Sequence, residues 1–313
     1  IEWEWNYDGE TMRSHHDIEP MPNGNVLMIA WELKSETESE DAGRDPSKMT
    51  QNSLWPDHII EIQPLGSNQA NIVWEWHIWD HLIQDYDVTK DNYGVVANHP
   101  ELLDINFADG SNQNTKYGSD WMHCNGIDYN PALDQIVLSC KNTNEFYVID
   151  HSTTTLEAAS HSGGDSGKGG DILYRWGNPE AYGAGTSQDQ QLFGQHDIQW
   201  IQDGRTGAGD FIVFNNGAGR ISSYSSVDTI SPPLVNGEYA LQSGSSWGPA
   251  APYWTWDQGA NMFGNSLGGV ERLENGNTLV TSGVEGIFYE IDSSGDIVWK
   301  YINPVVNSGP LTQ

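Results

Sequence analysis

Residues 15–31 read HHDIEPMPNGNVLMIAW, and the reading of this stretch decides the fold. A histidine-led segment, His15-His16-Asp17-Ile18, runs into the turn Pro22-Asn23-Gly24-Asn25. An apolar strand follows from Val26 to Trp31. Asn-Gly turns suit tight hairpins because their central residues accept positive φ. The same succession recurs three times. His123-Cys124-Asn125 leads through Asn130-Pro131 to Ile136–Ser139, and Gln195-His196-Asp197 leads through Asp203-Gly204 to Phe211–Phe214. Asn265-Ser266-Leu267 leads through Asn275-Gly276-Asn277 to Thr278–Thr281, with the pattern kept and the histidine lost.

Two further strands complete each unit. A short third strand often ends in acid, as in His58-Ile59-Ile60-Glu61-Ile62, Phe146–Asp150 and Phe288–Asp292. An aromatic fourth strand appears at Trp3-Glu4-Trp5, Trp74-Glu75-Trp76, Tyr174-Arg175-Trp176, Trp254-Thr255-Trp256 and Trp299-Lys300-Tyr301. Four antiparallel strands repeated in series predict an all-β chain, a β-propeller of four-stranded blades. Residues 1–313 read as one propeller domain with repeats beginning near 15, 121, 194 and 264. Four full blades are visible. The aromatic segment at the start reads as a fourth strand without its first three, so the expectation is six blades when complete. The polar stretches 33–57, 78–119, 151–168 and 228–249 read as long loops walling one mouth of the ring.

Composition narrows the partners. Against 13 Lys and Arg stand 44 Asp and Glu, a net charge of −31 that repels nucleic acid and anionic lipid. No run of apolar residues is long enough to span a membrane, and no signal peptide is visible. The acidic residues are scattered and form no calcium-loop motif. They read as a solvated surface suited to a salty or extracellular setting. Two cysteines without a C-x-x-C spacing do not make a zinc site.

In a propeller the first strand of each blade lines the central channel. His16, His123 and His196 are therefore expected to converge, against the plainer reading that each caps its blade by bonding backbone. Aligning His16-Asp17-Ile18 with His196-Asp197-Ile198 turns His16 inward and leaves His15 in a supporting or loop position. Folding the hairpin about Ala132 pairs residues whose numbers sum to 264. That register sets Lys141 opposite His123 on the channel face and Cys124 opposite Cys140 on the other. The two cysteines either form a cross-strand disulfide, which would indicate an oxidising compartment, or simply pack.

Three imidazoles suit zinc or copper. Asp17 and Asp197 directly follow their histidines, however, and point away on a strand, so no carboxylate backs a metal ligand there. No metal and no cofactor is assigned. The remaining chemistry is group transfer from an oxyanion ester. A neutral imidazole attacks while a second imidazole and a cation hold the equatorial oxygens.

The segments His15–Asn25, Asp120–Asn125, Gly194–Asp197 and Arg272–Val280, with Tyr174-Arg175-Trp176-Gly177-Asn178-Pro179, resemble the bacterial arylsulfate sulfotransferase family over nearly the whole chain. The resemblance implies a periplasmic or secreted six-bladed propeller. It would move a sulfuryl group from an aryl sulfate to a phenol by a ping-pong route through a sulfohistidine. By motif position, His196 resembles the histidine that is transiently sulfated. His16 and His123 resemble the supporting histidines, and Asn125 the adjacent amide. Lys141 stands where the family usually carries arginine, which keeps the charge and loses the bidentate fork. Ser266 falls at the place of a small hydroxyl residue. His15, Ser266, Asn215 and Arg220 are the candidate substrate-binding residues. The competing readings are a non-catalytic extracellular propeller that binds a ligand or self-assembles, including as a homo-oligomer, and a metal-dependent oxidase or lyase.

Overall fold

The computed structural model describes residues 3–49, 51–108, 120–242, 244–306 and 309–310. Four antiparallel four-stranded sheets follow one another along the chain. The first is β1 (Met12–Pro20), β2 (Val26–Glu32), β3 (Asp57–Leu65) and β4 (Gln69–His77). The second is β5 (Cys124–Asn130), β6 (Gln135–Cys140), β7 (Glu145–Asp150) and β8 (Tyr174–Trp176). The third is β9 (His196–Trp200), β10 (Phe211–Asn215), β11 (Ser226–Ile230) and β12 (Trp254–Asp257). The fourth is β13 (Gly269–Arg272), β14 (Thr278–Ser282), β15 (Ile287–Ile291) and β16 (Ile297–Ile302). Each sheet is a meander in chain order, so each is a propeller blade, as the periodicity predicts.

The chain packs as two compact units. Ile1–Gln190 with Pro233–Gly248 carries the first two blades; Gln191–Pro232 with Pro249–Gln313 carries the other two. Leu27, Ile29, Ile59, Trp76, Ile127, Leu138 and Tyr147 help fill the first unit's core. In the second, Ile212, Phe214, Val227, Trp256, Val280 and Ile291 do so. No helix among the described residues is long and apolar enough to cross a membrane.

The Asn-Gly-Asn turns show why the repeat is written as it is. Gly24 and Gly276 both take φ +86°, where a side chain would be strained. In each turn the first asparagine's Oδ1 accepts the backbone N–H of the second, at 2.9 Å. Both amides then donate to one carboxylate on the third strand, Glu61 in the first blade and Glu290 in the fourth. The acid of the third strand therefore belongs to the turn of the hairpin before it.

Several expectations are corrected. Trp3-Glu4-Trp5 is not a strand. Its backbone turns to the β3–β4 connection, with Glu4 N–H donating to Ser67 O and the Trp3 indole to Gln69 O. The stretch 33–57 contains α1 (Glu36–Asp41), closed by a capping box between Ser35 and Glu38, and it ends where β3 begins at Asp57. The stretch 151–168 contains α2 (Thr155–Ala158), with the same box between Thr154 and Glu157. The stretch 78–119 carries two short parallel strands, Leu82–Ile83 and Leu103–Asp104; its end, 109–119, lies outside the described residues. The stretch 228–249 starts inside β11, whose polar Ser226, Asp228 and Thr229 are buried, and it then forms a small hairpin, Leu234–Val235 with Glu238–Tyr239. Asp228 is satisfied there by Asn215 and Thr255, so a polar sequence hides a core strand.

Along β5–β6 the register runs Gln135↔Asn130 to Ser139↔Gly126 and then slips to Cys140↔Cys124. Asn125 is the extra residue of this bulge. The pairing expected from the fold about Ala132 therefore holds only beyond the bulge, where Lys141 N–H donates to His123 O. Cys124 and Cys140 are joined by a disulfide that closes a separation of 16 residues. Closing a loop of that length stabilises by about 3 kcal/mol. Replacing both cysteines with serine should lower the urea unfolding free energy by about that amount; an unchanged midpoint would show that the bridge constrains nothing.

Candidate active site

In the first unit, the chain is bent in the middle of β1, where the register shifts between Ser14 and Ile18, and again just before β5. His16 and His123 take left-handed conformations, with φ +55° and +53°. Such backbone costs about 1–3 kcal/mol at a non-glycine residue and persists only where surrounding contacts hold it. The two rings meet edge to face with centroids 4.6 Å apart. His15 is fixed beside them. It stacks on Trp31 at 3.9 Å, and its Nδ1 lies 2.7 Å from His16 Nδ1. Its Nε2 is 3.0 Å from Asp57 Oδ1 but off the angle a hydrogen bond requires, so that contact is electrostatic only.

Asp120 organises this cluster. One of its oxygens accepts the Trp31 indole N–H at 3.0 Å, and the other is hydrogen-bonded to His123 Nδ1. A carboxylate on Nδ1 fixes the orientation of the ring. Burial pushes the His15 imidazole down to about 3, Asp120 opposing and His123 adding to it. Burial also pushes His16 down to about 4, aided by the charges of His123, His15 and Lys141. His16 remains solvent-exposed, so this desolvation belongs to the ring edge facing the cluster. Lys141 is half-buried, and burial lowers its pKa against the pull of Asp120. Asn125 is nearly buried at the bulge. At neutral pH the first unit thus presents neutral imidazoles beside one carboxylate-backed histidine and an ammonium.

In the second unit the left-handed position falls on Asp197 (φ +53°), one residue after His196. The aligned histidines His16 and His196 therefore do not share a backbone conformation. His196 is 8% exposed. Its Nδ1 lies 2.8 Å from Asn216 Oδ1 and 3.1 Å from Gly194 O. The Asn216 amide nitrogen donates to Gly264 O at 2.8 Å and Leu267 O at 2.7 Å, which fixes the amide's orientation. Both groups facing Nδ1 can only accept, so Nδ1 carries the proton and the neutral ring holds its lone pair on Nε2. The Leu267 N–H approaches Nε2 at 3.4 Å, from a backbone also left-handed at φ +60°.

The remaining candidates lie in this unit. Asn215 is fully buried; its amide donates to Gln191 O and Asp228 Oδ2, and its Oδ1 accepts Phe193 N–H. Arg220 stacks on Tyr224 at 4.3 Å and stands 3.8 Å from Asp228. Ser266 lies beside Asn265, next to the left-handed Leu267. Asp17 and Asp197 act as staples between blades: Asp17 Oδ2 accepts Ile127 N–H within the first unit, and Asp197 Oδ2 accepts Val270 N–H within the second. Sequence reasoning missed Asp120, Asn216, Trp31 and Asp57. Of these, Asp120 left a signal, three residues before His123.

The family model Arylsulfotransferase (ASST) matches residues 4–307, and the chain belongs to that family. No curated protein sequence matches it. Among solved structures, a protein of unknown function from Bacteroides caccae is 12% identical, with a TM-score of 0.41, over 95% of this chain and 69% of that one. A streptogramin B lyase is 9% identical with a TM-score of 0.39, over 94% and 56%. Virginiamycin B lyase from Staphylococcus aureus is 10% identical with a TM-score of 0.38, over 96% and 62%. This chain thus spans 56% and 62% of the lengths of those two lyases. At such TM-scores none of the three bears on the chemistry.

The depressed histidines set an acid limit on stability. His15 and His58 are both held near 3 by burial, below the ordinary 6.5. Between these values the unfolded chain binds more protons than the folded one, so stability is full above about pH 6.5 and falls as pH drops toward 3. Burial raises Glu19 to about 7, which works the other way between 4.5 and 7. The part of the acid-side fall that His58 supplies should be absent in a His58→Gln variant, so its urea midpoint should lose less between pH 6.5 and pH 4 than that of the unsubstituted protein.

Proposed function

We propose that the chain is an aryl sulfate sulfotransferase that carries the sulfuryl group on His196 and works on aryl sulfate donors and phenolic acceptors. The observation that carries this reading is the amide behind the imidazole. Asn216 pins the Nδ1 proton, so the nucleophilic lone pair is held on Nε2. In the first half-reaction Nε2 forms a bond to sulfur, the sulfur–aryl oxygen bond breaks, and the aryloxide takes a proton. In the second, a phenol gives up its proton, its oxygen bonds to sulfur, and the N–S bond breaks.

By motif position His123, its ring oriented by the Asp120 carboxylate at Nδ1, is the imidazole assigned to that proton. His16 and Asn125 take supporting places by motif position. By motif position Lys141 takes the place of the family's cation, a point charge without the planar fork of arginine. The disulfide between Cys124 and Cys140 favours a periplasmic or secreted setting. That these blades form a single propeller domain is part of the same reading.

The test is to mix the protein with an aryl sulfate and no acceptor, quench, and measure intact mass. The reading expects one sulfuryl adduct per chain, mapped to the peptide bearing His196 and discharged by added phenol. Absence of both adduct and phenol release with a panel of aryl sulfates would leave a non-catalytic propeller.

A further inference from the structure

A second cluster of histidines stands in the first unit, in neither the sulfuryl chemistry nor the hydrophobic core. His81 Nδ1 lies 2.9 Å from Asp171 Oδ1, and His161 Nδ1 lies 2.7 Å from the same oxygen. The three ligand atoms all lie within 4.8 Å of one another. His81 is fully buried and Asp171 nearly so, while the His161 side chain is 62% exposed.

The far side of His81 decides what this arrangement means. Its Nε2 is 2.8 Å from Ala158 O, and a carbonyl oxygen only accepts, so Nε2 carries a proton. A neutral His81 therefore directs its Nδ1 lone pair at a carboxylate oxygen. Two acceptors at that distance repel unless a cation lies between them. A metal ion held between them would be such a cation. The convergence of another imidazole nitrogen on the same oxygen gathers three ligand atoms at one point, as a metal site requires. Fixing one ring nitrogen on a backbone carbonyl, so that the other is presented as a lone pair, is the usual support of a metal-bound histidine.

The surroundings are built around this contact. The Trp76 ring stacks on His81 with centroids 5.6 Å apart and planes 10° from parallel, and its indole N–H donates to Gly170 O at 2.7 Å. A Cβ at residue 170 would stand 2.0 Å from Ala158 O and 2.6 Å from His81 Nε2, so only glycine allows the carbonyl and the ring to meet.

We propose that His81, His161 and Asp171 bind a divalent transition metal ion of the zinc class. Two imidazole nitrogens and one carboxylate oxygen are the ligands of zinc, cobalt or nickel and not of calcium or magnesium, which take oxygen. A tetrahedral ion with bonds of about 2.0–2.2 Å spreads its ligand atoms to about 3.3 Å, so both imidazole nitrogens draw back from the Asp171 oxygen to admit it, the exposed His161 more than the buried His81. Three protein ligands leave the fourth position to water on the open side. The ion would tie the turn after β4 to the loop after α2, segments that sequence spacing does not connect: 90 residues separate His81 from Asp171 and 10 separate His161 from it. This site is independent of the sulfuryl chemistry.

The experiment strips the protein with a chelator and titrates it with Co²⁺, followed by displacement with Zn²⁺. One Co²⁺ per chain should bind, with the visible absorption of a four- or five-coordinate site, and Zn²⁺ should raise the melting temperature as a ligand of the folded state does. His161→Ala, on an exposed side chain, should keep its circular dichroism. It should weaken binding by more than the roughly 10–100-fold that loss of a merely supporting group causes, and Asp171→Asn should do the same. Absence of stoichiometric Co²⁺ or Zn²⁺, or binding unchanged in His161→Ala, would overturn the proposal and leave His81 and His161 as hydrogen-bond partners of Asp171.

Discussion

Replacing His196 with alanine is expected to reduce sulfuryl transfer from a chromogenic aryl sulfate by about 10⁴-fold or more, with no adduct on the quenched protein. The size follows from the role. A covalent nucleophile splits one difficult displacement into two easier ones, and its removal leaves only positioning and fixed charge. The neighbouring amide gives a finer test of the same idea. Asn216→Asp keeps shape and size but places a negative charge at Nδ1, the arrangement His123 has with Asp120. The ring would then be stabilised as imidazolium, and the Nε2 lone pair would be available only at higher pH. The pH profile of kcat/KM should shift upward in that variant, while His196→Ala should be inactive at every pH. If His196→Ala turned over at the wild-type rate, the nucleophile would have to be sought elsewhere. If Asn216→Asp left the profile unmoved, the lone-pair argument would fail even with His196 essential.

How far the sequence reaches is shown by these residues. The hairpin turns could be read because glycine at φ +86° and its flanking asparagines are a local necessity, and each such turn announces two strands. The blades follow from counting them. His16 and His123 could be read as neighbours only through the repeat, since nothing local joins residues so far apart. What local rules lose is the single residue. The bulge at Asn125 shifts register by one, and no composition signal marks it. Asn215 and Asn216 are indistinguishable in sequence, yet strand alternation turns one to Asp228 and the other to His196. The histidine that follows His15 and the aspartate that follows His196 share the left-handed conformation, so aligning like with like places the rings differently from the backbone. α1 and α2 escape notice because each is a single capped turn or little more, too short for any periodicity.

Replacing Arg175 with methionine is expected to lower the unfolding free energy by about 3–5 kcal/mol. Arg175 sits in the aromatic strand β8 and is 1% exposed. Its Nε donates to Glu145 Oε1 at 2.9 Å and its Nη2 to Glu145 Oε2 at 2.5 Å, a bidentate fork on a fully buried carboxylate. Nη1 donates to Leu102 O at 2.9 Å, and the guanidinium lies 4.5 Å from the Tyr182 ring centroid and 5.2 Å from that of Tyr147. Burial opposes its charge, but the adjoining carboxylate more than offsets this and holds its pKa above the usual arginine range. Methionine fills much of the volume and leaves Glu145 without its cation, so the loss comes mainly from an uncompensated buried charge. That distinction is measurable. Arg175→Met combined with Glu145→Leu removes both charges and should be more stable than Arg175→Met alone, the opposite of what two independent losses would give. Additive destabilisation in urea melts would instead assign the effect to lost packing on Tyr147 and Tyr182. The carbonyl at Leu102 adds a local consequence: Arg175 anchors the segment ending in Leu103–Asp104 to the second blade, so hydrogen exchange there should quicken in the single variant more than in β6 or β7.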